Sequence, residues 1–289
     1  MSISSKLQFL SIKQVPKLIW RSPKALTFKP PVISLLVLAF GLVLFGLGEA
    51  LLLAAGAGVS PWTTLAEGIS ILTGWTIGFA TFVISIAVLL TWMPLRQVPG
   101  LGTIANAFIV ALMLDISLPY LPKPDLYIFQ ILQSLIGVLI VGFGAAIYLS
   151  ANLGPGPRDG LMTGLTSLTN LPISLVRSTI EILVVASGWM LGGTVGVGTL
   201  LFAFLVGPSI SAGCFMLHHL VPPQQGQESD LSMMIWNVSE QIAILSEYYE
   251  LAAGDIIMTG TPAGVGPVQK GDVMQGSIEG LGKLTVTVD

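Results

Sequence analysis

Gly58-Val59-Ser60-Pro61-Trp62 and Gly154-Pro155-Gly156-Pro157-Arg158-Asp159-Gly160 decide the fold of this 289-residue chain, because they are one pattern written twice, 96 residues apart (154 − 58). The same shift lays Gly48 on Gly144, Leu65 on Leu161 and Gly68 on Gly164. It also lays Gly100-Leu101-Gly102-Thr103 on Gly196-Val197-Gly198-Thr199, and Ala107-Phe108 on Ala203-Phe204, without slipping. Each copy sets a Gly- and Pro-rich break before a short helical stretch, ending near Thr73 in one and near Asn170 in the other. Pro61 suits a first helical position and Ser60 can cap it. Broken helices at matching positions of two apolar halves point to a site between the halves; a pair of ligand-free interfacial linker helices is the alternative.

Around these breaks the chain is apolar. Charged residues make up 9% of it, against about 25% in soluble domains, and the mean hydropathy is +0.85. Residues 1–30 hold six Lys or Arg and no acid, residues 32–217 hold ten charges, and residues 218–289 hold nine acids and two lysines. The net charge of −3 averages three unlike regions. A single cysteine, Cys214, excludes an internal disulfide and reads as a small buried side chain. The basic start has no small-residue cleavage site, so a removed signal peptide is not expected, and residues 7–20 read as lying on the membrane surface.

A helix needs about 20 apolar residues to cross a bilayer. Six stretches qualify: 32–57, 77–92, 101–118, 127–151, 173–191 and 197–217. Trp75, Trp92 and Trp189 fall at their ends, where amphipathic rings favour the headgroup layer. The basic N-terminus belongs in the cytoplasm, Arg96 and Arg158 then fall on the same side, and six spans return the C-terminus there. Three spans per half make the halves inverted; one miscounted span in each would make them parallel.

Charges inside such spans cost about 2.5–3.5 kcal/mol each to insert, so they pair or face a wet cavity. Glu49 and Asp115 lie within apolar runs. Glu49 is expected either to be protonated or to meet Arg158 or Arg177 across the repeat interface. Arg177 and Glu181, four apart, share a helix face, either as a structural pair or as part of a binding site. Arg158 and Asp159 open a short helix, whose free N–H groups favour an anion there, unless the two residues only anchor a turn.

Gly58 to Trp62, Gly156 to Met162, Val176-Arg177 with Glu181, and Gly192-Gly193 with Gly196 to Thr199 together resemble the YczE-like family of bacterial integral membrane proteins, over about residues 31–217. The resemblance implies a membrane fold and a transport role without naming a substrate.

The last sixty residues have another character. Residues 221–229 read as a linker, 237–249 as an amphipathic helix, and 256–259, 273–279 and 283–288 as strands. Ser232 to Trp236, Gly254 to Gly266 and Lys270 to Val273 resemble the fumarylacetoacetate hydrolase family, nearest to its fumarylpyruvate-cleaving members, over about the last third of that catalytic domain. Such enzymes are metal-dependent and cleave carbon–carbon bonds in acylpyruvates. The resemblance implies that Gly260 and Thr261 line a substrate pocket. The family's metal carboxylates and catalytic lysine belong upstream, where this chain has membrane spans. A magnesium or manganese ion is therefore expected only if another chain completes the tail. Asp255 and Asp272 read as turn residues, and His218-His219 as interfacial.

The sequence thus predicts an all-α polytopic membrane domain (residues 31–220) of six spans in two three-span repeats, about 32–119 and 127–217, with short interrupted helices. A basic cytoplasmic segment (1–30) precedes it; a linker (221–229) and a small α+β, mainly antiparallel fragment (230–289) follow. The leading function is transport of a small, anionic solute across the bacterial inner membrane, at a site near Glu49, Arg158, Asp159, Arg177 and Glu181, with both termini cytoplasmic and no cofactor in the membrane domain. The alternatives are a membrane-anchored acylpyruvate hydrolase and a scaffold without transport. The bilayer is the expected partner; no nucleic acid is expected, and self-association is left open.

Overall fold

A computed structural model describes residues 15–23, 25–27, 29–221, 238–252, 270–271, 273–278 and 282–288. The chain divides into two compact units, Met1–Gln224 and Gln225–Asp289.

Apart from its N-terminal segment, the described part of the first unit is helical. Its elements are α1 (Val32–Ala55), α2 (Pro61–Thr73), α3 (Ile77–Thr91), α4 (Leu101–Ser117) with a 3-10 turn (Leu118–Tyr120), α5 (Tyr127–Ser150), α6 (Pro157–Thr169), α7 (Ile173–Met190) and α8 (Val197–Leu220). The 96-residue spacing recurs in the backbone. The bounds of α2 fall on those of α6, and both begin on proline. Gly58 and Gly154 have φ of 108° and 109°, a conformation that a side chain would strain, and each turns the chain into its short helix. Left-handed residues at Gly74 and Asn170 end the two helices.

Five helices among the described residues are long and apolar enough to cross a membrane, or six if α2 and α3 count as one span bent by 114°. The span expected at 77–92 is a helix of 15 residues, short of the usual crossing length on its own. Many large apolar side chains on these helices, among them Phe40, Leu90, Phe108 and Phe204, are exposed, as a lipid solvent requires.

The centre of the unit is α1 against α5. A methyl at Gly41 would lie 2.5 Å from the Tyr148 nitrogen, and one at Gly48 would lie 2.7 Å from the Gly137 oxygen. Lower numbers in α1 thus meet higher numbers in α5, so the two helices run antiparallel, and glycine lets their backbones touch. Leu38, Leu42, Val110, Ala145 and Tyr148 fill one side of this crossing. Leu52, Val138, Val141, Phe202 and Val206 fill the other. The short helices cross over: α2 packs on α7, and α6 packs on α3. Two backbone hydrogen bonds repeat the exchange. Gly102 N–H donates to the Leu153 carbonyl at 2.7 Å, and Gly198 N–H donates to the Ala57 carbonyl at 2.8 Å.

Two segments expected at the membrane surface also pack on protein. Trp92 is not interfacial: it is 2% exposed, donates Nε1–H to the Pro157 carbonyl at 3.0 Å, and presses its ring on Gly160. Trp75 and Trp189 are exposed. The N-terminal segment docks on helix ends: Trp20 Nε1 donates to Ser150 Oγ at 2.9 Å, Ser22 N–H to the Ala151 carbonyl at 3.0 Å, and Leu18 is fully buried. Residues 7–14 of the expected surface stretch lie outside the described residues. Cys214 is buried.

In the second unit, α9 (Val238–Tyr248) is followed by β1 (Val273–Ile278) and β2 (Gly282–Thr287). The strands pair antiparallel, with Val273 opposite Thr287 and Gln275 opposite Thr285. Val273, Met274, Leu284 and Val286 are exposed. The linker at 222–229, the strand expected at 256–259 and the Gly260-Thr261 loop lie outside the described residues.

Candidate functional site

The breaks before α2 and α6 bring the first turns of both short helices together in the interior. Trp62 and Arg158 are second residues of their helices and equivalent under the 96-residue shift (158 − 62). The Arg158 guanidinium stacks over the Trp62 ring, 5.3 Å from its centroid. Among the described residues it makes no ion pair and no hydrogen bond. A guanidinium carries five donors in a rigid fork, so Arg158 is a charged group with its hydrogen-bonding capacity unspent.

Glu49 reaches this point from α1. It is 1% exposed. Its Oε2 accepts from Ser60 Oγ at 2.7 Å and from Thr63 Oγ1 at 2.8 Å, and the two hydroxyls are 3.0 Å apart. Its Oε1 is buried without a partner among the described residues. Glu49 therefore does not pair with Arg158 or Arg177; hydroxyls from the start of α2 take their place, although Glu49 still acts on Arg158 through space. Ser60 precedes α2, but its side chain makes no capping hydrogen bond and is turned to donate to Glu49 instead.

Asp159, equivalent to Thr63 (159 − 63 = 96), accepts from Tyr148 Oη at 3.3 Å. It borders a cavity of about 180 Å³ that Arg177 and Ser174 also line. Arg177 Nε and Glu181 Oε1 form an ion pair at 2.9 Å. Glu181 faces a larger cavity, of about 490 Å³, between α7 and α8, with Pro61, Ser178, Trp189 and Thr199 in its walls. Glu49, Arg158 and Asp159 are thus gathered at the meeting of the short helices, and the Arg177–Glu181 pair flanks them on α7.

Two acids have roles that the sequence did not reveal. Asp115 binds the start of α3: its Oδ2 accepts from Thr76 Oγ1 at 2.6 Å and its Oδ1 from Gly78 N–H at 2.8 Å. Glu67 accepts from Thr194 N–H at 2.6 Å and Thr194 Oγ1 at 2.8 Å, tying the loop after α7 to α2. Each needs a partner more than thirty residues away, so neither leaves a local pattern.

The resemblance of the tail to metal-dependent hydrolases implies a divalent ion. Among the described residues no group of three or more His, Cys, Asp and Glu side chains is placed to hold one.

The model of a family of unknown function, DUF6198, matches residues 32–214, and that of the fumarylacetoacetate (FAA) hydrolase C-terminal region matches residues 215–289. An uncharacterized protein of Haemophilus influenzae is 42% identical over 196 residues, 68% of this chain and 89% of that protein. The uncharacterized membrane protein YczE of Bacillus subtilis is 33% identical over 175 residues, 60% of this chain and 79% of its own length. A fumarylpyruvate hydrolase of a Ralstonia species is 51% identical over 65 residues, which cover 22% of this chain and 34% of that enzyme. No solved structure matches the chain. The apolar helices, the two short helices at matching positions and these matches agree: the chain belongs to the DUF6198 family, with YczE among its relatives, and ends in a fumarylacetoacetate hydrolase-like segment.

Proposed function

We propose that residues 31–220 form a transporter of small solutes, built of two inverted three-span repeats, with its site where α2 and α6 meet. The observation that carries this reading is the stacking of Arg158 on Trp62, equivalent positions of the two short helices, with no carboxylate bonded to the guanidinium among the described residues. Two helix N-termini and an unspent cation suit an anionic group on the solute. Glu49, Asp159, Arg177 and Glu181 shape the surrounding charge. The antiparallel α1 and α5 and the reciprocal Gly102 and Gly198 hydrogen bonds support inverted rather than parallel halves. The chain lies in the bacterial inner membrane. Lys17, Arg21, Lys29 and Arg96 are placed in the cytoplasm with both termini, following the preference of basic loops for that side.

Reconstituted vesicles test this. They are assayed with a panel of radiolabelled small carboxylates, phosphonates and amino acids. At least one should enter wild-type vesicles and fail to enter Arg158→Gln vesicles. Equal flux in both, or flux of none, contradicts the reading.

The tail supports a second reading, hydrolysis of an acylpyruvate, through its 51% identity to a fumarylpyruvate hydrolase. That identity covers 34% of the enzyme, and we infer that the segment has no activity alone. Purified protein with magnesium should leave fumarylpyruvate intact. Turnover that Thr261→Ala abolishes would establish the hydrolase reading instead.

A further inference from the structure

The two halves differ at one matching place. In the first half α3 packs on α4, and a methyl at Gly78 would overlap the Ala111 carbonyl. Asp115 on α4 holds the start of α3 through Thr76 and Gly78. In the second half the matching helices are α7 and α8, and they stand apart around the 490 Å³ cavity. Gly207, the counterpart of Ala111 (207 − 111 = 96), has nothing within 4 Å of a would-be methyl. Ser211 stands where Asp115 stands (211 − 115 = 96), and Pro172, with no hydroxyl to donate, where Thr76 stands (172 − 76 = 96). One helix pair is latched and its counterpart is open. The difference shows at single residues: Ala203 faces the open cavity, whereas its equivalent Ala107 is 3% exposed.

We propose that Asp115 is a gate latch, and that the protein cycles by exchanging these two arrangements: α3 parts from α4 while α7 closes on α8. The proposal rests on the two-repeat transporter reading and adds to it how the site opens. A rigid-body exchange of this kind needs two packings of similar energy, and equivalent halves supply them, since each already adopts one of the two. The Asp115 hydrogen bonds bias the balance toward the latched α3–α4 pair. Their loss should shift the populations at least about tenfold, since one hydrogen bond to a charged group already carries that much. The partners of Asp115, Thr76 and Gly78, lie at the start of α3 and outside the Arg158 cluster, so it acts as a positioning residue.

The test uses the full chain in native membranes, with Cys214→Ala and a single cysteine at Ala203→Cys or Ala107→Cys. N-ethylmaleimide reports exposure to water. With Asp115 intact, Ala203→Cys reacts and Ala107→Cys is protected. Asp115→Ala should raise the rate at Ala107→Cys about tenfold and lower the rate at Ala203→Cys. Gly78→Ala, which pushes α3 from α4 without removing a polar group, should act in the same direction and serves if Asp115→Ala fails to insert. Reactivities that do not move, or that rise together in both variants, overturn the gate. Solute flux dependent on Arg158 without this trade sinks the gate and leaves the site; the trade without any flux sinks the site and leaves the gate.

Discussion

Arg158 and Trp62 hold the same position on two helices 96 residues apart, and they stack on each other at 5.3 Å. A cation over an indole face is worth about 0.5–2 kcal/mol. Trp62→Ala should therefore raise the half-saturation concentration for flux by about two- to thirty-fold, while Trp62→Phe should keep most of the affinity. An unchanged value in Trp62→Ala would mean that the ring does not position the guanidinium.

Glu49 ties α1 to the start of α2 through two hydroxyls. Glu49→Ala strands the buried hydroxyls of Ser60 and Thr63, at about 1–3 kcal/mol. Glu49→Gln keeps a carbonyl acceptor and should cost less. Unfolding titrations in mixed micelles should rank wild type, Glu49→Gln and Glu49→Ala in falling stability. Equal midpoints would remove the hydrogen bonds from the account.

Glycines divide into tight and open ones. Gly48→Ala drives a methyl onto the α5 backbone, 2.7 Å from the Gly137 oxygen, and should destabilise by about 1–3 kcal/mol. Gly207→Ala meets nothing and should stay within about 1 kcal/mol of wild type. The same unfolding titration reads both, and a reversed order would contradict the α1–α5 crossing.

Arg177 and Glu181 neutralise each other on α7. Removing one leaves a lone charge in a span, at about 2.5–3.5 kcal/mol on insertion scales. Arg177→Ala should lower the fraction of α7 that integrates in a translocon assay, and Arg177→Ala with Glu181→Ala should restore it. Failure of the double variant to recover would assign Arg177 a role beyond pairing.

Much of this architecture is legible in the chain because its signals are local. Proline after a Gly-rich break fixes where α2 and α6 begin, apolar length marks the long helices, and the four-residue spacing of Arg177 and Glu181 gives their pair. What the sequence missed is long-range. Glu49 reads from the sequence as either protonated or opposite an arginine, yet Ser60 and Thr63 are its partners once the chain turns back at Gly58. Trp92 looks interfacial by position and is buried because α6 comes to cover it. Asp115 and Glu67 acquire meaning only through Thr76, Gly78 and Thr194, which the fold delivers from elsewhere. The asymmetry between Ala111 and Gly207 is silent until both helices are in place.

The proposed inversion of the halves is tested most directly at Gly74 and Asn170, the exposed residues that end α2 and α6. In a Cys214→Ala background, Gly74→Cys and Asn170→Cys are labelled with a membrane-impermeant maleimide in intact spheroplasts and in inverted vesicles. If the halves are inverted, Gly74→Cys is labelled in spheroplasts and Asn170→Cys only in inverted vesicles. Labelling of both from the same face would contradict it.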